Sequence, residues 1–334
     1  MDDIIVTGAT GFIGRNLIPE LIKIFPKETI LCLIRDKPNE LEITGRKILE
    51  KYDIRTKEID LTSGRGLNEL PENPKLIIHL GASTESGDKD HNCNDIGTKN
   101  LLEAFSPLNP ELKIIFTSTA AVYSGRKDVK KPIDENTELA PSNEYGRSKV
   151  RTEKIFHEYT SKFGFSTVIL RLGTVWGKST RRKGIFDSLK NLICTRSFIT
   201  RLNWPGKTSL VSVNDVVNVI LFFALEKSGK LVRTYVVSHE GLTVSDISKV
   251  LHYNLKINYE PINIKPFFWI TLGSLLKRSH FFDKILPSKL YNFFWRLNLI
   301  VNDTLYCKPD EIKEKLPELN LKFRSYSNNF SDLY

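Results

Sequence analysis

Short apolar runs rich in β-branched residues alternate with helical patterns through the first half of the chain. The predicted strands are Ile4–Val6, Ile30–Ile34, Arg55–Ile59, Leu76–His79, Lys113–Thr117 and Thr167–Leu170. The segments with apolar residues at helical spacing are Asn16–Phe25, Ile96–Phe105 and Ser148–Phe163. Strands and helices that alternate in this way form βαβ units. The pattern predicts the α/β class, with a doubly wound parallel sheet whose ligands bind at the carboxyl ends of the strands.

The alternation changes in the second half of the chain. A Trp204-Pro205-Gly206 turn precedes a predicted strand at Leu210–Val213, a helix from about Asp215 and a strand at Tyr235–Val237 that can rejoin the main sheet. We therefore assign residues 1–175, together with 208–237, to the sheet domain. Residues 176–207 and 238–334 are assigned to a smaller, mostly C-terminal α/β lobe.

An aromatic segment follows Pro266. The run Phe267–Leu276 is too short to span a bilayer, which requires about 20 apolar residues. It predicts a helix that packs in the core or between the lobes. Because Lys277 and Arg278 follow it directly, contact with a membrane surface is the alternative.

The composition, 40% hydrophobic and 26% charged over 334 residues, is typical of a globular protein with a full core. The four cysteines form no CxxC pair, and no histidine cluster has metal-ligand spacing, so neither disulfides nor a metal site are predicted. These cysteines are Cys32, Cys93, Cys194 and Cys307. The start of the chain lacks the features of a signal peptide, so we expect a cytoplasmic protein.

The net charge of +10 fits an anionic small-molecule ligand. Basic residues are scattered apart from the compact run Arg181-Arg182-Lys183, and no nucleic-acid-binding signature accompanies them. We therefore expect no nucleic acid partner.

A glycine-rich segment, Thr7-Gly8-Ala9-Thr10-Gly11-Phe12-Ile13-Gly14, lies between the first predicted strand and a helix. Its glycines allow a tight turn, a close approach of backbone N–H groups to a pyrophosphate, and close packing of helix on strand. This context predicts a Rossmann-type dinucleotide-binding turn. The expected cofactor contacts here are Gly8, Thr10, Gly11, Phe12, Ile13 and Gly14.

The end of the second strand indicates which dinucleotide binds. NAD-specific proteins place an acid there to hold the ribose 2′-hydroxyl, whereas this chain has Ile34 followed by Arg35. A guanidinium can bind a 2′-phosphate through paired hydrogen bonds, so NADP is favoured. NAD stays open, because Asp36 would become the acid if the strand ended one residue later.

The segment Tyr145-Gly146-Arg147-Ser148-Lys149 opens a predicted helix. Residues four apart lie on one face of a helix, so an ammonium stands beside a phenol. A nearby positive charge favours the phenolate, which allows Tyr145 to transfer a proton closer to neutral pH.

These segments together resemble the extended short-chain dehydrogenase/reductases, which include nucleotide-sugar epimerases, dehydratases and reductases. TGATGFIG at 7–14 and YGRSK at 145–149 match the TGxxGxxG and YxxxK motifs of that family. Asp60-Leu61, His79-Leu80-Gly81-Ala82 and Asn94-Asp95-Ile96-Gly97-Thr98 are similar to three further motifs, in the same order. The resemblance covers about the first 220 residues. It implies cofactor contacts at Asp60, Leu61, Leu80, Gly81, Ala82 and Thr117, and at Tyr145 and Lys149.

The resemblance also implies a third catalytic group. Aligning Val122-Tyr123 with the VY of the family places Thr119 at the catalytic hydroxyl position, and a shift of one residue would place Ser118 there. The hydroxyl would bind the substrate oxygen as charge develops on it, Tyr145 would deliver the proton, and Lys149 would also bind the nicotinamide ribose.

The residues after Thr119 limit which reactions of the family are compatible with this chain. Dehydratases of the family resemble one another in having Asp-Glu there, whereas this chain has Ala120-Ala121, which cannot exchange protons. Expected substrate contacts are Thr84, Thr119, Arg181 and Lys207. Thr208 and Leu172 depart from the arginine and proline of the family's motifs, and this leaves the identity of the substrate open.

Four functions are compatible with these residues. An NADP-dependent reductase of a nucleotide-linked keto sugar is favoured, and an NAD-dependent nucleotide-sugar 4-epimerase is the first alternative. A dehydrogenase of a lipid-like or other small alcohol and a non-catalytic dinucleotide sensor are the others. A homodimer is compatible with all four.

Overall fold

In the computed structural model of the chain, the described residues are 4–84, 90–106, 108–126, 128–129, 131–178, 184–227, 229, 231–278, 288–302, 305–308, 311–315 and 323–326. Their strands are β1 (Ile4–Thr7), β2 (Ile30–Ile34), β3 (Arg55–Glu58), β4 (Leu76–His79), β5 (Lys113–Thr119), β6 (Ser166–Leu172), β7 (Thr174–Trp176), β8 (Lys207–Ser212), β9 (Val232–Val237) and β10 (Glu240–Thr243). The helices are α1 (Phe12–Leu21), α2 (Glu40–Lys51), α3 (Ile96–Ala104), α4 (Glu144–Phe163), α5 (Ile185–Cys194), α6 (Val213–Leu225), α7 (Val244–Asn254), α8 (Pro266–Arg278), α9 (Ser288–Val301) and α10 (Glu311–Lys315).

The main sheet has seven parallel strands in the order β3-β2-β1-β4-β5-β6-β9. The chain runs outward from β1 to β3 and then reverses direction on the other side of β1, starting at β4. β1 pairs with both neighbours in one register, Ile4 opposite Ile30 and Leu76. The predicted doubly wound α/β fold is confirmed, and the reversal places a crevice at the carboxyl ends of β1 and β4.

The inner strands β1, β2, β4 and β6 are buried on both faces, whereas the edge strand β3 is mostly exposed. One core cluster lies under α1 and α6 and includes Val6, Leu17 and Ile220, while the other lies under α3 and α4 and includes Ile5, Leu101 and Phe156. Alternate residues of β1 therefore enter opposite clusters, which explains why its sequence is a continuous apolar run.

A second, three-stranded sheet has the order β10-β8-β7. β8 is parallel to β7 and antiparallel to β10. A third core cluster joins this sheet to α5, α7, α8 and α9 and includes Trp176, Leu189 and Ile247. The predicted strand at 210–213 is thus β8 of the smaller sheet, whereas the predicted strand at 235–237 is β9 of the main sheet. The proposed domain boundaries stay a prediction.

Several boundaries differ from the sequence-based predictions. β5 extends to Thr119, and α4 begins at Glu144 because the side chain of Asn143 caps it by accepting from the Gly146 N–H. The helix α2 was not predicted, although Asn39 and Glu42 form a capping box at its start.

None of the helices within the described ranges is long and apolar enough to cross a membrane.

A buried ion pair joins α4 to β6. Arg171 donates to Glu153 at 2.7 Å, and both side chains are almost completely buried. The Ser118 hydroxyl donates to the same carboxylate at 2.5 Å, and the Arg171 guanidinium donates to the Tyr123 hydroxyl at 2.5 Å. The network therefore fixes the carboxyl end of β5, and the turn that follows it, to the helix that carries Lys149.

Replacing Glu153 by alanine is expected to lower the free energy of unfolding by about 3–5 kcal/mol, because it leaves the Arg171 charge buried without its partner. Urea unfolding followed by circular dichroism measures the loss. The control is Glu20→Ala, which removes the exposed pair with Lys23 and should cost no more than about 1 kcal/mol. Equal decreases in the free energy of unfolding of the two variants would show that the buried ion pair stabilises the fold no more than the exposed pair does.

Candidate active site

The glycine turn after β1 packs against the turn after β4. Gly8 has φ +70°, and a Cβ atom there would lie 2.6 Å from the Gly81 nitrogen and 2.7 Å from the Leu80 carbonyl carbon. A Cβ atom on Gly14 would lie 2.4 Å from the Gly8 oxygen. Only hydrogen fits at these positions. The first turn of α1 contains no acidic side chain, so its N-terminal N–H groups and partial positive charge suit an anionic group.

Buried polar groups hold the two turns together. The Thr7 hydroxyl lies 2.7 Å from His79 Nδ1 and accepts the Gly81 N–H at 3.0 Å. His79 Nε2 lies 2.9 Å from the Thr98 hydroxyl on α3. Desolvation, with a smaller effect from the Lys149 charge, lowers the pKa of His79 to about 3. The imidazole is therefore neutral near pH 7, and its two ring nitrogens connect the end of β1 to α3 through hydrogen bonds.

A second group of polar contacts joins the segment before α3 to α4. Asn94 accepts the Ser83 N–H at 2.8 Å and donates to the Ser148 hydroxyl at 2.9 Å. The Thr152 hydroxyl donates to the Asn94 carbonyl at 2.9 Å. Ser148 directly precedes Lys149, so these bonds fix the rotation and depth of α4.

Lys149 is buried at the carboxyl end of β5. Its Nζ atom donates to the Thr117 carbonyl at 2.9 Å and lies 4.5 Å from the centre of the Phe116 ring. Desolvation lowers the pKa of Lys149 to about 8, against opposing effects of Cys93 and Glu153. The ammonium is thus held beside the end of β5, where Thr117 precedes the candidate catalytic hydroxyl by two residues.

Tyr145 lies one turn before Lys149, in the first turn of α4. This turn packs closely on the turn after β5, since a Cβ atom on Gly146 would lie 2.8 Å from the Ala121 oxygen. The partly buried Tyr145 ring lies 5.7 Å from the ring of His91, centre to centre. The backbone around Tyr145 and the backbone around Thr119 are therefore neighbours.

Thr119 ends β5 beside a cavity of about 120 Å³. The Thr119 hydroxyl accepts the Ala121 N–H at 3.2 Å. Lining residues from both sheets include Thr119, Ala121, Gly173, Thr174, Thr208 and Leu305. Ser118, the alternative from a one-residue shift, is buried and donates to Glu153, so Thr119 is the hydroxyl that borders open space.

Two further arginines lie near Arg35, which the sequence predicts to bind a 2′-phosphate. Arg35 pairs with Glu42 at 2.6 Å, and Asp36 accepts from Arg65 at 2.5 Å. Arg46 donates to the Arg35 carbonyl. Asp36, the acid that would favour NAD, is therefore engaged by a guanidinium. Asp60 accepts the Thr62 N–H at 2.9 Å and so closes the turn after β3.

The remaining residues predicted to contact cofactor or substrate differ in how far they are buried. Leu61 is buried, Leu80 and Ala82 are partly buried, and Thr84 is exposed after the β4 turn. Lys207 is exposed at the start of β8, where strand alternation directs it away from the face of its neighbour Thr208. Arg181 lies outside the described residues.

A larger cavity of about 440 Å³ lies at the edge strand β3 and is lined by residues such as Arg55, Lys57 and Leu70. It includes none of the predicted site residues. Among the described residues, no cluster of His, Cys, Asp or Glu could hold a metal ion.

Comparison with known families matches residues 4–238 to the model of the NAD dependent epimerase/dehydratase family. The chain belongs to this family. It is accordingly an NAD(P)-dependent enzyme of the extended short-chain dehydrogenase/reductase type, as its sequence motifs predict.

Family members of several activities are similar to the chain. The uncharacterized UDP-glucose epimerase YtcB of Bacillus subtilis is 36% identical over 56% of this chain and 60% of its own length. A putative UDP-glucose 4-epimerase of Methanocaldococcus jannaschii is 30% identical over 79% of this chain and 86% of its own. The dTDP-4-dehydro-6-deoxyglucose reductase of Escherichia coli is 27% identical over 75% and 81%, respectively.

Among solved structures, the UDP-glucuronic acid 4-epimerase of Bacillus cereus, in complex with UDP-glucuronic acid and NAD, superposes with a TM-score of 0.72. It is 19% identical, and the match covers 99% of this chain and 97% of that one. At this identity the likeness shows the fold of the family.

The sequence did not reveal the hydrogen bonds by which Thr7, His79 and Asn94 hold neighbouring segments together. It also did not indicate that Thr174 and Leu305 line the cavity at Thr119. Thr7, His79 and Asn94 all lie in the family motifs, but the hydrogen bonds that they form become apparent only when the chain folds.

The pKa of Lys149 near 8 predicts that kcat/KM falls as the pH rises above about 8, because the ammonium loses the proton with which it binds and polarises its neighbours. Steady-state rates measured across pH 6 to 10 test this. In Lys149→Arg the descending limb should move to higher pH, since a guanidinium keeps its proton. Lys154→Arg, an exposed change on the same helix, should leave the profile unaltered.

Proposed function

We propose that this enzyme is an NADP-dependent reductase of a nucleotide-linked keto sugar. The observation that carries the proposal is the cavity at Thr119, which lies at the end of the strand whose Thr117 carbonyl holds the Lys149 ammonium. A small polar molecule in this cavity would meet a hydroxyl at the position where the family has its catalytic serine or threonine.

Each residue of the site has a defined task in this proposal. A dinucleotide bound at the glycine turn would supply the hydride for the carbonyl carbon of the substrate. Thr119 donates a hydrogen bond to the carbonyl oxygen and stabilises its developing negative charge. Tyr145 gives its phenolic proton to that oxygen, so the ketone becomes an alcohol. Lys149 binds the nicotinamide ribose and lowers the cost of the tyrosinate that is left behind.

The residues after Thr119 support a reaction without dehydration. Ala120 and Ala121 are both buried in the turn that follows β5, and neither side chain can accept or donate a proton. Eliminating water from a sugar needs an additional acid and base close to the reacting carbons. Reduction needs only the groups already named.

The arginines near the end of β2 support NADP. Arg35 and Arg65 each hold one carboxylate through an exposed pair, and Arg46 contacts the Arg35 backbone. Exposed pairs of this kind contribute little to stability, so their guanidinium groups can be redirected to a 2′-phosphate at small cost.

A 4-epimerase is the second candidate, because relatives aligned over much of this chain carry that name. An epimerase retains its cofactor through oxidation and re-reduction of the same sugar. The two activities would use the same Thr119, Tyr145 and Lys149, and they differ in whether reduced cofactor is consumed.

Incubating the enzyme with NADPH and a panel of UDP-, dTDP- and GDP-linked 4-keto sugars is expected to consume the reduced cofactor. Tyr145→Phe should lower kcat by about 100-fold or more, because the proton donor is lost. The matched control is Tyr159→Phe on the same helix, whose hydroxyl contacts Glu103 instead of the site. Turnover that survives in Tyr145→Phe would contradict the assignment. Interconversion of sugar epimers without loss of NADPH would establish the epimerase instead.

Replacing Arg35 by alanine is expected to weaken NADPH binding by about tenfold or more and to leave NADH binding nearly unchanged, since charge-assisted hydrogen bonds contribute about 1.5–3 kcal/mol. Fluorescence titration of both cofactors measures the two affinities. Lys37→Ala removes an exposed charge two residues away and serves as the control. A wild-type enzyme that binds NADH more tightly than NADPH would refute the NADP assignment.

A further inference from the structure

Helix α8 presents apolar side chains on two opposite faces. Its inner face places Trp269 and Leu276 in the core cluster of the smaller sheet. Its outer face leaves Phe267 78%, Ile270 68% and Leu275 59% exposed. The expectation that this segment is a packing helix therefore holds for one face only. Exposed aromatic and aliphatic side chains on adjacent turns are unusual on a protein that stays surrounded by water.

The hydroxyl groups on this outer face are satisfied within the helix. Thr271 donates to the Phe267 carbonyl at 2.9 Å, and Ser274 donates to the Ile270 carbonyl at 2.9 Å. Such bonds to the preceding turn remove the need for water at these side chains. The face can therefore enter an apolar medium without losing hydrogen bonds.

The neighbouring helix extends the apolar area. α8 packs against α9, on which Leu290 and Phe293, three residues apart, are exposed on one side. We call these exposed apolar residues, together with the basic residues on the same two helices, the α8–α9 surface; the apolar members are Phe267, Phe268, Ile270, Leu275, Leu290 and Phe293.

The charges on these two helices have one sign. Neither α8 nor α9 contains an aspartate or glutamate, whereas both contain basic residues. These are Lys277, Arg278, Lys289 and Arg296, and the exposed Lys265 directly precedes α8. Two helices that combine exposed apolar side chains with basic residues, and that contain no acidic residue, are complementary to a surface that is apolar inside and negatively charged outside.

We propose that the α8–α9 surface docks on an anionic lipid bilayer, with its apolar side chains at the boundary between headgroups and acyl chains and its basic residues beside the headgroups. A second copy of the chain fits less well. A twofold contact would bring this surface against itself, so cations would face cations with no acidic residue on either helix to pair with them.

Helix α9 also contacts the segment that precedes α4. Trp295 on α9 donates to the Ser142 hydroxyl at 2.9 Å, and Ser142 immediately precedes Asn143, which caps α4. A bilayer in contact with the Phe293 side of α9 would therefore lie across that helix from the segment that caps α4. Docking does not depend on which reaction the site performs.

Flotation with vesicles tests the proposal. The wild-type protein is expected to float with vesicles of phosphatidylcholine containing one-third phosphatidylglycerol, to bind pure phosphatidylcholine vesicles more weakly, and to dissociate partly at raised salt. The double variant Phe267→Glu/Ile270→Glu should have a vesicle–water partition coefficient lower by about tenfold or more, because two apolar side chains are lost from the contact with the bilayer. Both residues point away from the core, so the variant should unfold at the temperature of the wild type.

Matched controls separate this surface from general effects. Tyr253→Glu alters an 83% exposed aromatic on α7 and should leave vesicle binding within about twofold of wild type. Arg296→Glu should weaken binding to the anionic vesicles more than Lys249→Glu, an identical charge change on α7. The proposal is overturned if the wild type does not bind anionic vesicles, if the double variant binds as well as the wild type, or if both charge reversals have equal effects. A wild-type dimer that the double variant abolishes, without vesicle binding, would identify a second copy as the occupant.

Discussion

The close contact between the first glycine turn and the backbone after β4 is the constraint on which the candidate site depends. Gly8 and Gly81 approach so closely that a Cβ atom on Gly8 would lie 2.6 Å from the Gly81 nitrogen. Thr7 fixes the same contact through its hydroxyl, which bonds to His79 and to the Gly81 amide. These strand ends flank the point where the strand order reverses. Their spacing therefore sets the crevice in which the other candidate groups are arranged.

The burial of the Lys149 ammonium is unfavourable by itself, and hydrogen bonds and a nearby charge offset it. A buried ammonium is unfavourable unless it is hydrogen-bonded, and here the Thr117 carbonyl accepts from it. Asn94 holds α4 at the required depth through Ser148, and the buried Glu153 adds a favourable charge nearby. Polar contacts from β5, from the segment before α3 and from α4 therefore hold the Lys149 ammonium in one position at the end of β5.

The sequence was sufficient for the features that depend on local pattern. Alternating apolar runs predicted the main sheet, and motif spacing pointed to Thr119, Tyr145 and Lys149, whose catalytic roles stay predictions. The last two residues of β5 were missed because hydroxyl side chains do not form an apolar run. Helix α2 was missed because its apolar positions are sparse, although the Asn39 capping box marks its start. The cavity could not be foreseen, since Thr119 and Leu305 meet only through tertiary packing.

The chain passes between the two sheets at β6–β7, β8–α6 and β9–β10, and these passages lie side by side. Thr174 at the start of β7 and Glu240 at the start of β10 both stand opposite Leu210 of β8. At Gly173, between β6 and β7, a Cβ atom would meet the Ser209 oxygen at 2.8 Å. Two of the residues at these connections, Gly173 and Thr174, also line the cavity at Thr119. A larger side chain at either position would therefore change both the spacing of the two sheets and the shape of that cavity.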